Sequence, residues 1–202
     1  MKKIIIATRN AGKAKEFKDL FIGYGIQAIS LLDLTEEIPE VEETGTTFEE
    51  NAALKAEQLS DRLSIPVLAD DSGLIIDALG GRPGVFSARY SGMKNDQKNI
   101  EKVLGELENI PTEERTARFV CVLAVAVPGQ KTIFRKGDCE GSIAFFAIGD
   151  NGFGYDPVFI PKNYTCTMAQ LSDNEKNSIS HRKNAIVELD EFIKNDGGGI
   201  FR

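Results

Sequence analysis

The chain has 202 residues, of which 42% are hydrophobic and 27% are charged, as is typical of a globular protein with one substantial core. Its 24 basic and 31 acidic side chains give a net charge of -7, which disfavours broad contact with nucleic acid or an anionic membrane surface. No apolar run approaches the ~20 residues of a membrane span, and the three widely spaced cysteines suggest neither a zinc site nor a disulfide framework. We expect a cytoplasmic protein with a single α/β domain over residues 1–202, in which a local basic cluster holds any anionic ligand.

The chain opens with a predicted strand, turn and helix. The β-branched run over residues 4–8 favours a buried strand, and apolar residues then recur at helical spacing until Gly23. The turn between them, TRNAGK at 8–13, offers backbone amides at a helix N-terminus beside the charge of Lys13, which suits phosphate. It is not a Walker A loop. For this turn alone, a plain connection with a solvated lysine is the commoner interpretation.

An acidic loop precedes the second predicted helix. Residues 36–45 are acidic and contain one proline, so they favour a loop, and Thr47 with Glu50 forms a capping box pattern. The apolar stripe that follows predicts a helix. Asn51 and Lys55 lie one turn apart beside this stripe, where they can reach a neighbouring cleft.

Two adjacent carboxylates, Asp70 and Asp71, come directly after a predicted buried strand at 65–69, and Ser72 and Gly73 follow them. Paired acids at the end of a strand can hold a divalent cation, because hard cations prefer carboxylate oxygens on a rigid support. Taken alone, the segment more often forms a turn in which the aspartates bond nearby amides and the glycine supplies an unusual dihedral angle. A further strand at 74–78 would follow such a turn.

A second pair of acids, Glu42 and Glu43, lies in the acidic loop. Either could complete a magnesium shell with Asp71, since magnesium takes only one or two protein carboxylates and fills its other positions with water and substrate phosphate. A solvated acidic loop is the commoner explanation of such a pair on its own.

The second half of the chain predicts a helix, a hairpin and a glycine-rich loop. Residues 95–107 look helical, and the strand-like segments 117–125 and 131–135 predict an antiparallel hairpin. The segment GDNGFGYDP at 149–157 is a loop that precedes a short strand at 158–160. Its aromatic residues, Phe153 and Tyr155, could stack on a nucleobase, which is worth ~1–3 kcal/mol per base, or could plug the core.

Basic residues mark the start of the last predicted helix, at His181 and Arg182, after a second capping box formed by Ser172 and Glu175. His181 is the only histidine, and a lone histidine is more often a structural hydrogen-bonding group than a catalyst. Cations at a helix start are unfavourable with the helix dipole unless an anion or acceptor lies nearby. The position therefore suggests a ligand that supplies one.

Taken together, these motifs resemble the non-canonical purine nucleoside triphosphate pyrophosphatases, which include inosine and xanthosine triphosphate pyrophosphatases. The resemblance is carried by ATRNAGKAKE at 7–16, EETGTTFEENAALKA at 42–56, ADDSGLIIDALGGRPGVFSARYSG at 69–92, ARFVCVL at 117–123, NGFGYDP at 151–157 and EKNSISHRKNA at 175–185. It implies a mixed, elongated and twisted sheet flanked by helices, with two lobes around a central nucleotide-binding cleft. It also implies a homodimer.

By this resemblance, the protein would use Mg²⁺ to cleave a nucleoside triphosphate between its α and β phosphates. Asp71 would act as the general base and would contact the metal with Glu42, while Asp70 would support the site. The residues implied to hold the triphosphate are Thr8, Asn10, Lys13, Lys55 and Ser72, helped by Lys176. Those implied to bind the base are Phe153 by stacking, Gly154, Tyr155 and Asp156 by shaping its pocket, and His181 and Arg182 near the purine oxygen edge.

The expected substrates are ITP, dITP and XTP, which the enzyme would remove from the nucleotide pool. Arg182 can only donate hydrogen bonds, so it suits a 6-oxo group and not the 6-amino group of adenine. Two alternatives stay open: a magnesium-dependent pyrophosphatase with another base preference, and a catalytically silent nucleotide-binding protein. The chain departs from the family pattern at Arg9, where small or polar residues are usual; this side chain could reach a phosphate or point to solvent.

Overall fold

The computed structural model describes residues 2–35 and 38–195. Two residues of the predicted acidic loop, 36 and 37, and the glycine-containing tail from 196 onward lie outside the described residues. Within the described ranges the chain forms five α-helices and six strands. The helices are α1 (Ala11–Ile22), α2 (Phe48–Leu63), α3 (Asp96–Glu106), α4 (Asp173–Ile179) and α5 (His181–Asn195). The strands are β1 (Lys2–Ile6), β2 (Ile26–Ser30), β3 (Val67–Ile76), β4 (Thr116–Ala126), β5 (Ile133–Ile143) and β6 (Phe159–Pro161).

The six strands form one mixed sheet in the order β2-β1-β3-β4-β5-β6. Strand β1 runs parallel to both β2 and β3, and the helices α1 and α2 make the connections that parallel neighbours require. Strands β5 and β6 are antiparallel. The predicted α/β class with a mixed sheet and flanking helices is confirmed, although the sequence patterns do not predict β2.

Strand β3 differs from its prediction. It is one continuous strand of ten residues, so Asp70 and Asp71 lie in its interior, and the predicted turn at 70–73 is wrong. Both aspartates are buried, and cationic side chains from neighbouring elements compensate their charges. Strand formation depends on such neighbours more than on intrinsic preference, which explains why adjacent acids followed by glycine can continue a strand.

The helix boundaries follow the predicted signals. Helix α1 ends at Gly23, as predicted, and α5 begins at His181. In both predicted capping boxes, at Thr47 and at Ser172, the hydroxyl accepts from the amide three residues on, and the glutamate at that position accepts from the backbone of the capping residue.

The contacts divide the chain into two compact units. Unit 1 comprises Met1–Asp71, Cys121–Gly137 and Arg182–Arg202, and unit 2 comprises Ser72–Val120 and Asp138–His181. The prediction of a single domain stays a prediction beside this division. No helix in the described parts of the chain is long and apolar enough to cross a membrane.

Each unit has its own hydrophobic core. In unit 1, the stacked rings of Phe17 and Phe21 on α1 pack with apolar side chains of β1, β3, β4 and α5. In unit 2, Val103 and Leu107 at the end of α3 pack with Phe119 and Phe159. These cores fix the strands and helix ends that carry the polar side chains described next.

Candidate active site

In unit 1, the turn between β1 and α1 is held by its own side chains. Asn10 caps α1, and its Oδ1 accepts a hydrogen bond from the Lys13 amide at 3.0 Å. The Thr8 hydroxyl accepts from the Asn10 amide at 3.2 Å. The turn is therefore rigid, and it places the Lys13 side chain at the first turn of the helix.

Lys13 pairs with Asp70. Its Nζ lies 2.7 Å from Asp70 Oδ2, and only 1% of the Asp70 side chain is exposed. Burial by itself would raise the pKa of Asp70, but the positive charges of Lys13, Arg182 and Lys55 outweigh it and hold that pKa well below its usual range. Asp70 therefore stays ionised and is tied through Lys13 to the first turn of α1.

Asp71 has a different environment, although it is adjacent in the strand. Its Oδ2 accepts from the Asn51 side-chain amide at 3.2 Å, and its Oδ1 lies 3.7 Å from Lys55 Nζ. Burial raises the pKa of Asp71, and the negative charges of Glu43 and Asp70 add to this rise against the opposing effect of the lysines. The two aspartates are therefore unequal, and Asp71 has the raised pKa that suits a proton acceptor.

Lys55 joins this site to the acidic loop. Its Nζ lies 2.8 Å from Glu43 Oε1. Burial lowers the pKa of Lys55, but the carboxylates of Asp70, Asp71 and Glu43 outweigh that effect and keep the pKa above its usual value. The neighbouring Glu42 side chain is exposed. The structure thus brings Glu43 to the aspartates through Lys55.

Asn51 is absent from the predicted site residues, although it contacts one of them. Fully buried in α2, it donates to Asp71 and accepts from the Gly45 amide at 2.8 Å. A Cβ at Gly45 would lie 2.7 Å from Asn51 Oδ1, so a larger residue there would displace the loop. The one-turn spacing of Asn51 and Lys55 is the sequence signal that points to both.

Arg182 lies in unit 1, at the start of α5. Its Nη1 donates to Glu16 Oε2 at 2.7 Å, and both side chains are buried. Burial lowers the pKa of Arg182, but Glu16 and Asp70 outweigh it and raise the pKa. Glu16 supplies an anion that offsets the unfavourable helix dipole. It is the last residue of the motif at 7–16 but is a second residue absent from the predicted site set. It follows Lys13 by three positions and so shares its face of α1.

The guanidinium of Arg9 reaches the acidic loop. Its Nη2 donates to the backbone carbonyl of Ile38, whose side chain is buried. Arg9 therefore ties the turn after β1 to the start of the loop that carries Glu43.

The carboxylates of unit 1 fit magnesium. The donors are hard carboxylate oxygens: Asp71 lies in β3, and the loop supplies Glu42, whose side chain is exposed, and Glu43, whose charge raises the pKa of Asp71. In residues 2–35 and 38–195, no three or more His, Cys, Asp or Glu side chains form a ready-made metal site. Magnesium takes only one or two protein carboxylates and completes its shell with water and substrate, so Asp71 and one acid of the loop would suffice.

In unit 2, Asp156 organises the glycine-rich loop. Its Oδ2 lies 2.5 Å from Lys176 Nζ and accepts from the Phe153 amide at 2.8 Å. Lys176 Nζ also lies 4.8 Å from the centroid of the Phe153 ring, within the range of a cation–π contact. A Cβ at Gly152 would lie 2.1 Å from Asp156 Oδ2, which explains the glycine there.

The two loop aromatics have different roles. Tyr155 is buried, and its hydroxyl donates to the Ser87 carbonyl at 2.8 Å, so this ring plugs the core of unit 2. Phe153 is only partly buried. Between them, the Gly154 amide donates to Asp96 Oδ2 at 2.8 Å. Of the two rings that could stack on a base, Phe153 is the one with an accessible surface.

His181 and Ser72 complete the placement of the predicted site residues in unit 2. The imidazole of His181 is buried and stacks on Phe119, with ring centroids 4.9 Å apart and planes 16° apart. Ser72 follows Asp71 in β3 and is partly buried. The structure therefore places Thr8, Asn10, Lys13, Lys55, Asp71 and Arg182 in unit 1, and Phe153 to Asp156, Lys176, His181 and Ser72 in unit 2.

Known proteins similar to this chain share its sequence and fold. Residues 4–192 match the model of a family described as the Ham1 family. A dITP/XTP pyrophosphatase of Oceanobacillus iheyensis is 63% identical over 194 residues, covering 96% of this chain and 98% of that protein. A dITP/XTP pyrophosphatase of Bacillus subtilis is 54% identical over 197 residues, with 96% and 98% covered. The structure of a Ham1 protein from Staphylococcus aureus is similar with a TM-score of 0.84 at 46% identity, covering 96% of this chain and all of that one.

Proposed function

The chain belongs to the Ham1 family, and on that premise we propose that it hydrolyses ITP, dITP and XTP to the nucleoside monophosphate and pyrophosphate, removing these nucleotides from the pool. Relatives more than half identical to it along nearly their whole length are dITP/XTP pyrophosphatases. Water adds across the phosphoanhydride bond between the α and β phosphates, so the activity is that of a hydrolase. The chemistry requires a water nucleophile, a base and compensation of the phosphate charges.

The observation that carries this proposal is the pair of unequal carboxylates in β3. Asp70 is fixed to Lys13 at 2.7 Å, whereas Asp71 is held by the neutral Asn51 amide and lies 3.7 Å from Lys55. A protein that only binds nucleotide has no need of a second buried acid whose charge is so weakly compensated. A hydrolase needs one to accept a proton.

In this mechanism Asp71 accepts the proton of the attacking water, and Asn51 fixes the carboxylate in the orientation for that transfer. Bound Mg²⁺ would neutralise phosphate charge and make nearby water more acidic. With Glu43 committed to Lys55, we assign Glu42 as the loop carboxylate that holds the metal together with Asp71. Lys13 and Lys55 offset the charge of the triphosphate, and we assign Thr8, Asn10 and Ser72 as residues that donate hydrogen bonds to it.

For the base, we assign stacking to Phe153, and recognition of the purine oxygen edge to His181 and Arg182. Because Asp156 already compensates the charge of Lys176, Lys176 acts here by holding the Phe153 ring through its cation–π contact. Gly154 and Tyr155 shape the same loop. We further propose that the protein works in the cytoplasm as a homodimer, as the family resemblance and the cysteine content suggest.

The proposal is tested by incubating the pure protein and magnesium with ITP, dITP, XTP, ATP, GTP and modified pyrimidine triphosphates, and by assaying pyrophosphate and orthophosphate separately. We expect pyrophosphate from the 6-oxopurine substrates ITP, dITP and XTP, much less from ATP, and no product after EDTA treatment. Orthophosphate as the main product, or equal turnover of ATP and ITP, would contradict the assignment. Binding of XTP without turnover would support the catalytically silent alternative, and faster hydrolysis of modified pyrimidine triphosphates would support another base preference.

A further inference from the structure

Two carboxylates hold the peptide groups on either side of Phe153. The Phe153 amide donates to Asp156 Oδ2 at 2.8 Å, and the Gly154 amide donates to Asp96 Oδ2, also at 2.8 Å. Gly154 has a φ of +60°, a left-handed conformation that sets the direction of its amide. The backbone from which the Phe153 ring projects is therefore restrained at both ends.

Asp96 is well placed to act as a fixed anchor. It is the first residue of α3, and the capping role at this helix belongs to the preceding residue, Asn95, whose side chain accepts from the Lys98 amide at 2.9 Å. The helix itself is fixed in the unit 2 core through Ile100 and Val103. Asp96 lies 58 positions before Gly154 in the chain, so this contact is a tertiary one between a rigid helix and a loop.

We propose that Asp96 is a positioning residue that sets the orientation of the Phe153 ring for base stacking by holding the Gly154 amide. This inference rests on the proposed function, in which Phe153 stacks on the purine. Stacking depends on how the ring is presented to the base, and a carboxylate acceptor makes a stronger hydrogen bond to an amide than a neutral group does. Asp96 thereby acts on substrate affinity without touching the substrate.

A purely structural role for Asp96 makes a different prediction. An acid in the first turn of a helix stabilises it through the helix dipole, and both Asp96→Ala and Asp96→Asn would remove that charge equally. An asparagine side chain can still accept a hydrogen bond from the Gly154 amide, whereas alanine cannot. The asparagine variant should therefore retain the positioning role and lose only the dipole contribution.

The kinetic experiment measures pyrophosphate release from XTP with magnesium, using the full chain. We expect Asp96→Ala to raise KM about five- to tenfold, because a misplaced Phe153 ring loses part of the stacking energy with the base. The value of kcat should stay within about twofold of the original. Asp96→Asn should restore KM to near the original value. The matched control is Glu101→Gln, which removes an exposed acid from the same helix and should change neither constant. Equal KM increases in the Ala and Asn variants, or none in either, would overturn the inference.

A second readout needs no turnover. In ¹⁵N NMR spectra of the protein without nucleotide, Asp96→Ala should shift the Gly154 amide resonance upfield and speed its hydrogen exchange, and Glu101→Gln should leave it unchanged. An unaltered Gly154 amide in Asp96→Ala would disprove the contact. If no form of the protein hydrolyses XTP, the proposed function fails, and the amide resonance still decides whether Asp96 holds the loop.

Discussion

The shared charges of unit 1 and the buried cation Arg115 of unit 2 are compensated in different ways. In unit 1, cations are shared among several carboxylates: Lys55 lies between Glu43 and Asp71, and Arg182 contacts Glu16 while its charge lowers the pKa of Asp70. In unit 2, Lys176 also pairs with a carboxylate, Asp156, but the buried cation Arg115 has backbone carbonyls as its hydrogen-bond acceptors. Cations held by side-chain carboxylates can change partners, whereas a cation held by backbone carbonyls cannot.

Arg115 illustrates the fixed kind. Its side chain is 1% exposed, and its nitrogens donate to the carbonyls of Ile143 at 2.9 Å, Leu107 at 2.7 Å and Ala144 at 2.8 Å. The ring of Phe145 covers the guanidinium, with the central carbon 4.4 Å from the ring centroid. One side chain thus ties together the end of α3 and the end of β5.

The comparison explains why the proposed catalytic groups lie where they do. A cation that is held by side-chain carboxylates can exchange one of them for a phosphate oxygen without any change in the backbone. A backbone carbonyl in a strand or helix end cannot move without breaking secondary structure. Substitutions among the shared charges of unit 1 should therefore change turnover, and substitution of Arg115 should change the free energy of unfolding.

The largest effect is expected from Asp71→Asn in unit 1. Loss of the proton acceptor should reduce kcat for XTP by about 10³-fold or more, within the range of general-base catalysis, while nucleotide still binds because the lysines are intact. Steady-state kinetics and calorimetric titration with XTP measure the two effects. The control is Asp19→Asn, which changes an exposed acid on α1. A turnover close to normal in the Asp71 variant would remove this residue from the role of base.

In unit 2, Arg115→Met should affect stability. The variant leaves buried carbonyls without donors, so we expect a loss of about 3–5 kcal/mol in the free energy of unfolding, measured by urea denaturation. Arg118→Met is the matched control, because Arg118 lies close by at the start of β4. It makes partly exposed ion pairs with Asp77 and Glu140, which contribute less than about 1 kcal/mol. Equal losses in the two variants would show that backbone carbonyls hold Arg115 no more firmly than surface acids hold Arg118.

Local signals in the sequence predicted local structure well. Helix α1, the helix start at His181 and both capping boxes depend on residues within a few positions of one another, so each can be recognised without knowledge of the fold. The turn predicted at Asp70 and Asp71 was wrong because the local sequence does not show the partners of these acids. Lys13 and Asn51, which compensate or bind them in the strand, belong to other elements.

The partners of the site residues could not be predicted from spacing. Glu16 and Arg182 are 166 positions apart, and neither residue carries a local sign of the other. Arg115 directly precedes β4, and the pattern of the neighbouring residues gives no indication of a buried cation. Tertiary contacts such as these decide which predicted charges face a ligand, and they are fixed only when the helices and strands pack.

The smallest effect is expected from Arg9→Ala, which tests how far the shared charges of unit 1 depend on the acidic loop. Arg9 holds the Ile38 carbonyl, so its loss should loosen the loop that carries Glu43 and raise KM for XTP about two- to threefold, the value of a weak hydrogen bond. Protease cleavage of the loop should become faster. The control Arg62→Ala should change neither KM nor the rate of cleavage. A phosphate contact by Arg9 would instead raise KM more than about tenfold without faster cleavage, and a solvated side chain would leave both unchanged. The loop also carries Glu42, the proposed metal ligand. The expected result would therefore show that the charged groups of unit 1 bind the substrate well only while Arg9 holds this loop in place.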